Sequence, residues 1–212
     1  MFYDSIKRVL DVTLAIILLL IFSPFMLLIA FLIKFTSPGP ILAQTPLRVG
    51  KDGELFRLYK FRSMIANAHD LLTHDPKFKK LYDEYKKSSY KLRNDPRITP
   101  VGNFLRHHSL DELPQLFNVL NGEMSLIGPR PYYEDELVEQ QKKYPETSQL
   151  VKEVISIRPG ITGLWQVSGR SEVNFDKRIR MDAKYARSKS LWLDFVILLK
   201  SPWIMLTGKG AV

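Results

Sequence analysis

The sequence predicts an α+β, mostly helical protein: an N-terminal membrane helix over residues 1–36, then a small domain over residues 37–212 with amphipathic helices at the membrane interface. Three observations predict it. Residues 12–33 form an almost unbroken apolar run whose one flaw is Ser23-Pro24. Beyond it, apolar residues recur at helical spacing among charges, as Leu71, Leu72, Phe78, Leu81, Tyr82 and Tyr85 do within the lysine-rich stretch 64–90. Strand-like segments are few and short, at residues 41–44 and 55–61.

Residues 4–34 read as the anchor helix. At ~1.5 Å per residue the apolar run extends roughly 33 Å, about one bilayer core. Pro24 cannot donate a backbone hydrogen bond and its ring crowds the carbonyl of Leu20. Ser23 is expected to bond back to the carbonyl of Leu19 and favour a bend. Both flanks are basic, with Lys7 and Arg8 before and Lys34, Arg48, Lys51, Arg57, Lys60 and Arg62 after. Cytoplasmic flanks tend to be rich in Lys and Arg, so a helix that enters, bends and returns suits both ends. A kinked full span also tolerates proline, and both topologies stand on these residues alone. A signal peptide fits poorly, because Thr36-Ser37-Pro38-Gly39-Pro40 follows the run instead of a small-x-small cleavage site.

Residues 48–53 read as a turn and 64–90 as one polar helix. Asp95-Pro96 and Thr99-Pro100 mark loops. Helices are expected at 101–108 and at 113–120, the second stopping near Asn121-Gly122. Pro129-Arg130-Pro131 is a rigid turn, 134–144 a charged helix, 158–170 a glycine-containing loop with a short strand, and 175–188 an amphipathic helix. The tail 191–206, interrupted by Lys200-Ser201-Pro202, reads as a core or interface helix. Trp192 and Trp203 lie either at headgroup depth or in the core.

Composition narrows the function classes. The chain of 212 residues has no cysteine, which excludes disulfides, thiolate metal sites and a cysteine nucleophile. Its net charge of +9 suits an anionic lipid surface or an anionic substrate, and on charge alone nucleic acid.

The chemistry concentrates in Ser109-Leu110-Asp111-Glu112-Leu113-Pro114-Gln115-Leu116. Ser109-x-x-Glu112 matches a capping box, which is a purely structural reading. Pro114 strains it, because a helix capped at Ser109 brings the proline ring against the carbonyl of Leu110. A helix starting at Asp111 places Pro114 in the first turn and makes Asp111 the cap, at the end where anions bind. A carboxylate there attacks phosphorus only if positive charge offsets the repulsion of two anions. Candidates are Arg106, Arg130 held between Pro129 and Pro131, Lys60, Arg62, and Arg158 and Arg170, which bracket a segment with three glycines. The adjacent pair His107-His108 is a poor joint ligand, since neighbouring side chains diverge on a helix.

Taken together these segments resemble the monotopic phosphoglycosyl transferases, the bacterial sugar transferase family, over nearly the whole chain. The resemblance rests on Ser23-Pro24, Lys60-Phe61-Arg62-Ser63-Met64, the stretch 92–99 (LRNDPRIT), 109–120 (SLDELPQLFNVL), 124–131 (MSLIGPRP) and 158–170 (RPGITGLWQVSGR). It implies transfer of a sugar-1-phosphate from a UDP-sugar to undecaprenyl phosphate with release of UMP, the first membrane step of O-antigen, exopolysaccharide or capsule synthesis. It implies Asp111 as the nucleophile of a phosphosugar–aspartyl intermediate, Glu112 as the second acid, and Mg²⁺ near or on Asp111. Arg130 with Pro129 and Pro131 matches a nucleotide-holding turn, and Arg106, Arg170, Lys60 and Arg62 match substrate-side positions. It also implies that residues 1–36 are a re-entrant helix broken at Ser23-Pro24. The catalytic domain and both termini then lie on the cytoplasmic side of a bacterial inner membrane, against anionic lipids, with a homodimer possible and no nucleic acid partner. Some members carry a further N-terminal multi-spanning region, so a naturally short form and a fragment are both open. Residues 75–94 look like an insertion of members using galactose-1-phosphate or glucose-1-phosphate, with galactose favoured. Competing classes are a glycosyltransferase that leaves UDP, a membrane-tethered binding protein, and a scaffold without catalysis.

Overall fold

The computed structural model describes residues 2–87, 90, 92, 94–169 and 173–207. Helix α1 (Phe2–Thr36) is a single element of 35 residues, ~52 Å long at 1.5 Å per residue. Among the described residues it alone is long and apolar enough to cross a membrane. Pro24 does not divide it into two helices. Ser23 Oγ donates to the carbonyl of Leu20 at 3.0 Å, not to Leu19 as expected. Pro24 lacks the N–H that would serve Leu20, and the hydroxyl supplies the missing donor.

Both halves of α1 pack on the same domain. In the first half, Ala15 is buried with Leu116, Val119 and Met124. In the second, Ile29 and Ile33 are buried with Phe61 and Leu105. Between them Leu20, Ile21, Leu27 and Leu28 remain exposed. Past Thr36, the Arg62 guanidinium donates to the carbonyls of Ser37 and Pro38, which pins the chain where it leaves the helix.

Strand β1 (Arg48–Val49) pairs antiparallel with β2 (Leu55–Phe56) around a 3-10 turn at Lys51–Gly53. The hairpin is shorter than the expected 55–61 strand, and the segment expected as a turn supplies its first strand. Residues 41–44 contribute a single bridge, Leu42 to Phe61. The expected helix over 64–90 is split into α2 (Ala68–His74), a 3-10 turn at Pro76–Phe78 and α3 (Lys79–Lys87). Asp75-Pro76 is the cause: Pro76 removes a donor, and the Asp75 carboxylate accepts instead from Lys77 N at 2.9 Å.

Helix α4 (Pro100–His107) opens with Pro100 at its first position and Thr99 Oγ1 accepting from Gly102 N at 3.0 Å. Gly102 lets α4 lie directly on backbone, because a Cβ there would fall 1.8 Å from the carbonyl oxygen of Ser63. Helix α5 (Gln115–Asn121) ends as expected, on Gly122 at φ +85°. Strand β3 (Ser125–Ile127) runs parallel to β4 (Gly160–Thr162). Helices α6 (Glu134–Lys143), α7 (Ser148–Ile155), α8 (Phe175–Ser188) and α9 (Leu191–Thr207) complete the fold.

Neither β3 nor α7 has a counterpart in the sequence reading, and three residues of strand are too few to show alternation. Helix α9 runs through the Lys200-Ser201-Pro202 interruption. Trp192 and Trp203 are each 72 % exposed, which removes the core-tryptophan reading. One hydrophobic core lies between α1, α5, β3 and α9, and a second joins α6, α7 and α8.

Candidate active site

The carboxylates of Asp111 and Glu112 face a cleft of about 320 Å³ that Lys60, Arg48, Arg106, Arg130, Pro131 and Trp165 also line. The local chain explains the placement. Ser109 sits at φ +56° and makes no side-chain cap bond, so the capping box does not form. Asp111 does not cap α5 either. Leu110–Glu112 is a 3-10 turn, and α5 starts only after Pro114. The tighter turn accommodates the proline, with Leu113 N bonding the carbonyl of Leu110 at 3.3 Å. The Asp111 carbonyl accepts from Phe61 N at 2.9 Å, which ties the turn to the segment carrying Lys60.

Lys60 bridges the two acids, with Nζ 2.6 Å from Glu112 Oε1 and 3.7 Å from Asp111 Oδ2. Burial opposes its charge, but the carboxylates of Glu112 and Asp111 outweigh burial and hold its pKa above the ordinary lysine value. Asp111 is 6 % exposed. Burial pushes its carboxyl above the usual range, Lys60 and Arg106 pull it back, and Glu112 adds to the rise. A buried carboxylate facing an ammonium is poised to act as an anion while remaining poorly solvated.

A second charged layer lies behind Arg130. The Arg130 backbone N–H donates to Asp182 Oδ2 at 3.2 Å, and Tyr132 Oη donates to the same oxygen at 2.8 Å. Burial pushes the Asp182 carboxyl up to about 7, against these two bonds and the charges of Arg178 and Arg130. Arg178, wholly buried, pairs with buried Glu136 at 2.5 Å. The Arg130 guanidinium stands 5.5 Å from the Trp165 ring, and its buried Nε has no hydrogen-bond partner among the described residues. Arg48 lies 3.3 Å over the Tyr133 ring and donates to the carbonyl of Pro131 at 3.1 Å. Burial lowers its pKa, and the nearby Arg130 charge adds to that. Cations close enough to repel one another form a site for an anion such as a diphosphate.

Of the residues singled out in the sequence, Lys60, Arg106, Asp111, Glu112, Arg130 and Pro131 meet at this cleft. Arg62 also lines it, and its guanidinium donates to the Ser37 and Pro38 carbonyls. Pro129 does not line the cleft, and its carbonyl accepts from Gly160 N at 2.8 Å. Arg158 lines a separate recess. His107 and His108 line neither. Arg170 lies outside the described residues. Sequence reasoning missed Arg48, counted only as a flanking charge, and the Arg178–Asp182 layer. The signal for the second was present: Arg178 and Asp182 share a stripe with Phe175, Ile179 and Ala183, so charges occupy the apolar face of α8.

No group of three or more His, Cys, Asp or Glu able to hold a metal ion occurs among the described residues. The donors present still suit Mg²⁺, which binds through one or two carboxylates together with substrate phosphates and water. Asp111 and Glu112 would be those carboxylates.

Comparison with known proteins shows the family. The family model for bacterial sugar transferases matches residues 2–208. The chain is 44 % identical over 210 residues to the undecaprenyl-phosphate galactose phosphotransferase of Salmonella typhimurium, covering 97 % of this chain and 41 % of that protein. It is 42 % identical over 206 residues to the exopolysaccharide production protein ExoY of Rhizobium meliloti, covering 97 % and 87 %. It is 36 % identical over 211 residues to the UDP-glucose:undecaprenyl-phosphate glucose-1-phosphate transferase of Escherichia coli, covering 97 % and 41 %. The chain thus spans about two fifths of the length of the first and third of these relatives. With a family match across nearly every residue and an acidic pair set among cations, the chain belongs to the bacterial sugar transferase family.

Proposed function

We propose that this chain transfers a hexose-1-phosphate from a UDP-sugar to undecaprenyl phosphate and releases UMP. The supporting observation is the Asp111–Lys60–Glu112 cluster, with Asp111 buried, in a cleft whose other charges, Arg48, Arg106 and Arg130, suit a diphosphate. Asp111 forms a bond to the sugar-bearing phosphorus while the bond to UMP breaks, leaving a phosphosugar on the carboxylate. An oxygen of undecaprenyl phosphate then bonds to that phosphorus and Asp111 leaves. Each displacement has one phosphate substrate at the site, which is the advantage of a covalent intermediate. Lys60 orients both carboxylates, and Arg48 and Arg130 bind the leaving nucleotide phosphate. Mg²⁺, held by Asp111 and Glu112, supplies neutralisation of the phosphate charge when bound.

The helix α1 is read as re-entrant. Both of its halves pack on one domain while an exposed apolar face runs along it from Val9 to Phe35, which suits a segment lying within one leaflet. The site then faces the cytoplasmic surface of the inner membrane, with soluble donor on one side and lipid acceptor on the other. The sugar is galactose or glucose, the two that the Salmonella and Escherichia relatives carry in their names, with galactose favoured by the higher identity.

The test is nucleotide release from a panel of UDP-sugars with Mg²⁺ and undecaprenyl phosphate, separating UMP from UDP. UMP with UDP-galactose or UDP-glucose supports the reading. UDP as the product overturns it in favour of a glycosyltransferase.

A further inference from the structure

A second recess, of about 220 Å³, lies beside β3 and shares no lining residue with the cleft. The first turns of α1 form one wall, and Lys51, Arg158 and Lys189 approach from three different loops. Its charges are unevenly matched. Lys7 is neutralised by Asp194 at 2.9 Å and Asp11 at 3.6 Å, and Lys189 by Asp4 at 2.7 Å. Arg8 and Arg158 have no carboxylate within ion-pair distance among the described residues. Arg8 donates to the carbonyls of Val119 and Leu120, at 2.6 and 3.1 Å. Arg158 donates through Nε alone to the carbonyl of Gly122, at 2.7 Å.

Capping the C-terminal end of α5 explains one such arginine. It does not explain two guanidinium groups brought to neighbouring carbonyls, where their charges repel. Nor does it use the two terminal nitrogens of Arg158, the fork that matches phosphate oxygens and that finds no protein partner among the described residues. Depth matters as well. Apart from Phe2, the exposed apolar surface of α1 begins at Val9 and Leu10, directly after Lys7 and Arg8, which puts the recess at the end of the helix where lipid headgroups would lie.

We infer that this recess is a phosphate-binding site, held by Arg158 and Arg8 with Lys51 at its rim, and separate from the site of sugar-phosphate transfer. A phospholipid headgroup at the base of α1 and a soluble phosphate present the same chemistry, and depth favours the lipid. The full chain is placed in phosphatidylcholine nanodiscs with and without phosphatidylglycerol, and co-purified lipid is read by native mass spectrometry. In parallel, the detergent-solubilised chain is titrated with inorganic phosphate and its thermal midpoint followed.

Wild type is expected to retain phosphatidylglycerol selectively. Arg158→Gln, which can still donate to Gly122, weakens retention by about tenfold, as loss of a charged hydrogen-bonding fork predicts. Lys51→Gln, at an exposed position that folding does not depend on, weakens it less. Lys142→Gln, a charge control outside the recess, leaves it unchanged. Stabilisation by inorganic phosphate that Arg158→Gln removes, without lipid selectivity, supports the site and assigns it to a soluble anion. Equal retention in wild type and both recess variants, or no response to either anion, overturns it. Neither readout requires turnover, so a failure here leaves the transferase reading untouched.

Discussion

Lys60 decides the protonation of Asp111. Its ammonium is the main force holding the Asp111 carboxyl down against burial. Replacing it by methionine keeps much of the packing and removes the charge, so the Asp111 pKa climbs further. Transfer in Lys60→Met is therefore expected to fall by at least tenfold near neutral pH, with the acidic limb of the rate profile displaced to higher pH. A lower rate with an unmoved acidic limb contradicts that role. Asp182 makes an independent prediction. Its native pKa, about 7, lies above its value of 3.8 in an unfolded chain, so the folded state holds the proton more tightly. The stability this contributes is complete below 3.8 and is lost as pH rises through about 7. Thermal midpoints of wild type should fall across that window relative to Asp182→Asn, and parallel curves would count against the buried carboxyl.

At the scale of elements, Gly102 joins α4, which carries Arg106, to the segment that carries Lys60. A methyl group there has backbone on its far side and nothing that can move easily. Gly102→Ala is expected to cost roughly 1–3 kcal/mol, the usual range for overpacking. It should also raise the KM for the UDP-sugar by separating Arg106 from the dyad. An unchanged thermal midpoint would show that the two segments are not so closely fitted.

The elements also show where the sequence was legible. Helices with strong periodicity or clear stops, α4, α5, α6 and α8, lie close to where their residues place them, and Gly122 ends α5 as Asn121-Gly122 suggests. The acidic pair, Lys60, Arg106 and Arg130 were legible because they sit in motifs. What escaped was set by tertiary contact. Ser109 looks like a helix cap, but the chain turns left-handed there to seat Pro114. Arg62 is read as a ligand for phosphate, and the structure adds a second partner set, the carbonyls after α1. Arg48 becomes a site residue only because the β1–β2 hairpin brings it onto Tyr133.

At the scale of the molecule, α1 is part of the domain as well as its attachment. Asp11 accepts from Ser125 Oγ at 2.7 Å and Leu126 N at 3.2 Å, and so fastens α1 to β3, the strand that leads into the Arg130 turn. Ala15, Ile29 and Ile33 are buried against domain side chains in two separate clusters. Deleting residues 1–36 is therefore expected to abolish cooperative unfolding instead of releasing a soluble, active domain. A monodisperse truncated protein with wild-type turnover would contradict this.

The central claim is a covalent phosphosugar on Asp111, and the most direct measurement is mass analysis of the chain incubated with Mg²⁺ and UDP-galactose or UDP-glucose in the absence of undecaprenyl phosphate. The predicted result is UMP release of about one equivalent, with a hexose-phosphate adduct on the peptide containing Asp111, discharged when undecaprenyl phosphate is added and absent from Asp111→Asn. UMP formed only after the lipid is added, with no adduct, or an adduct that persists in Asp111→Asn, would contradict it.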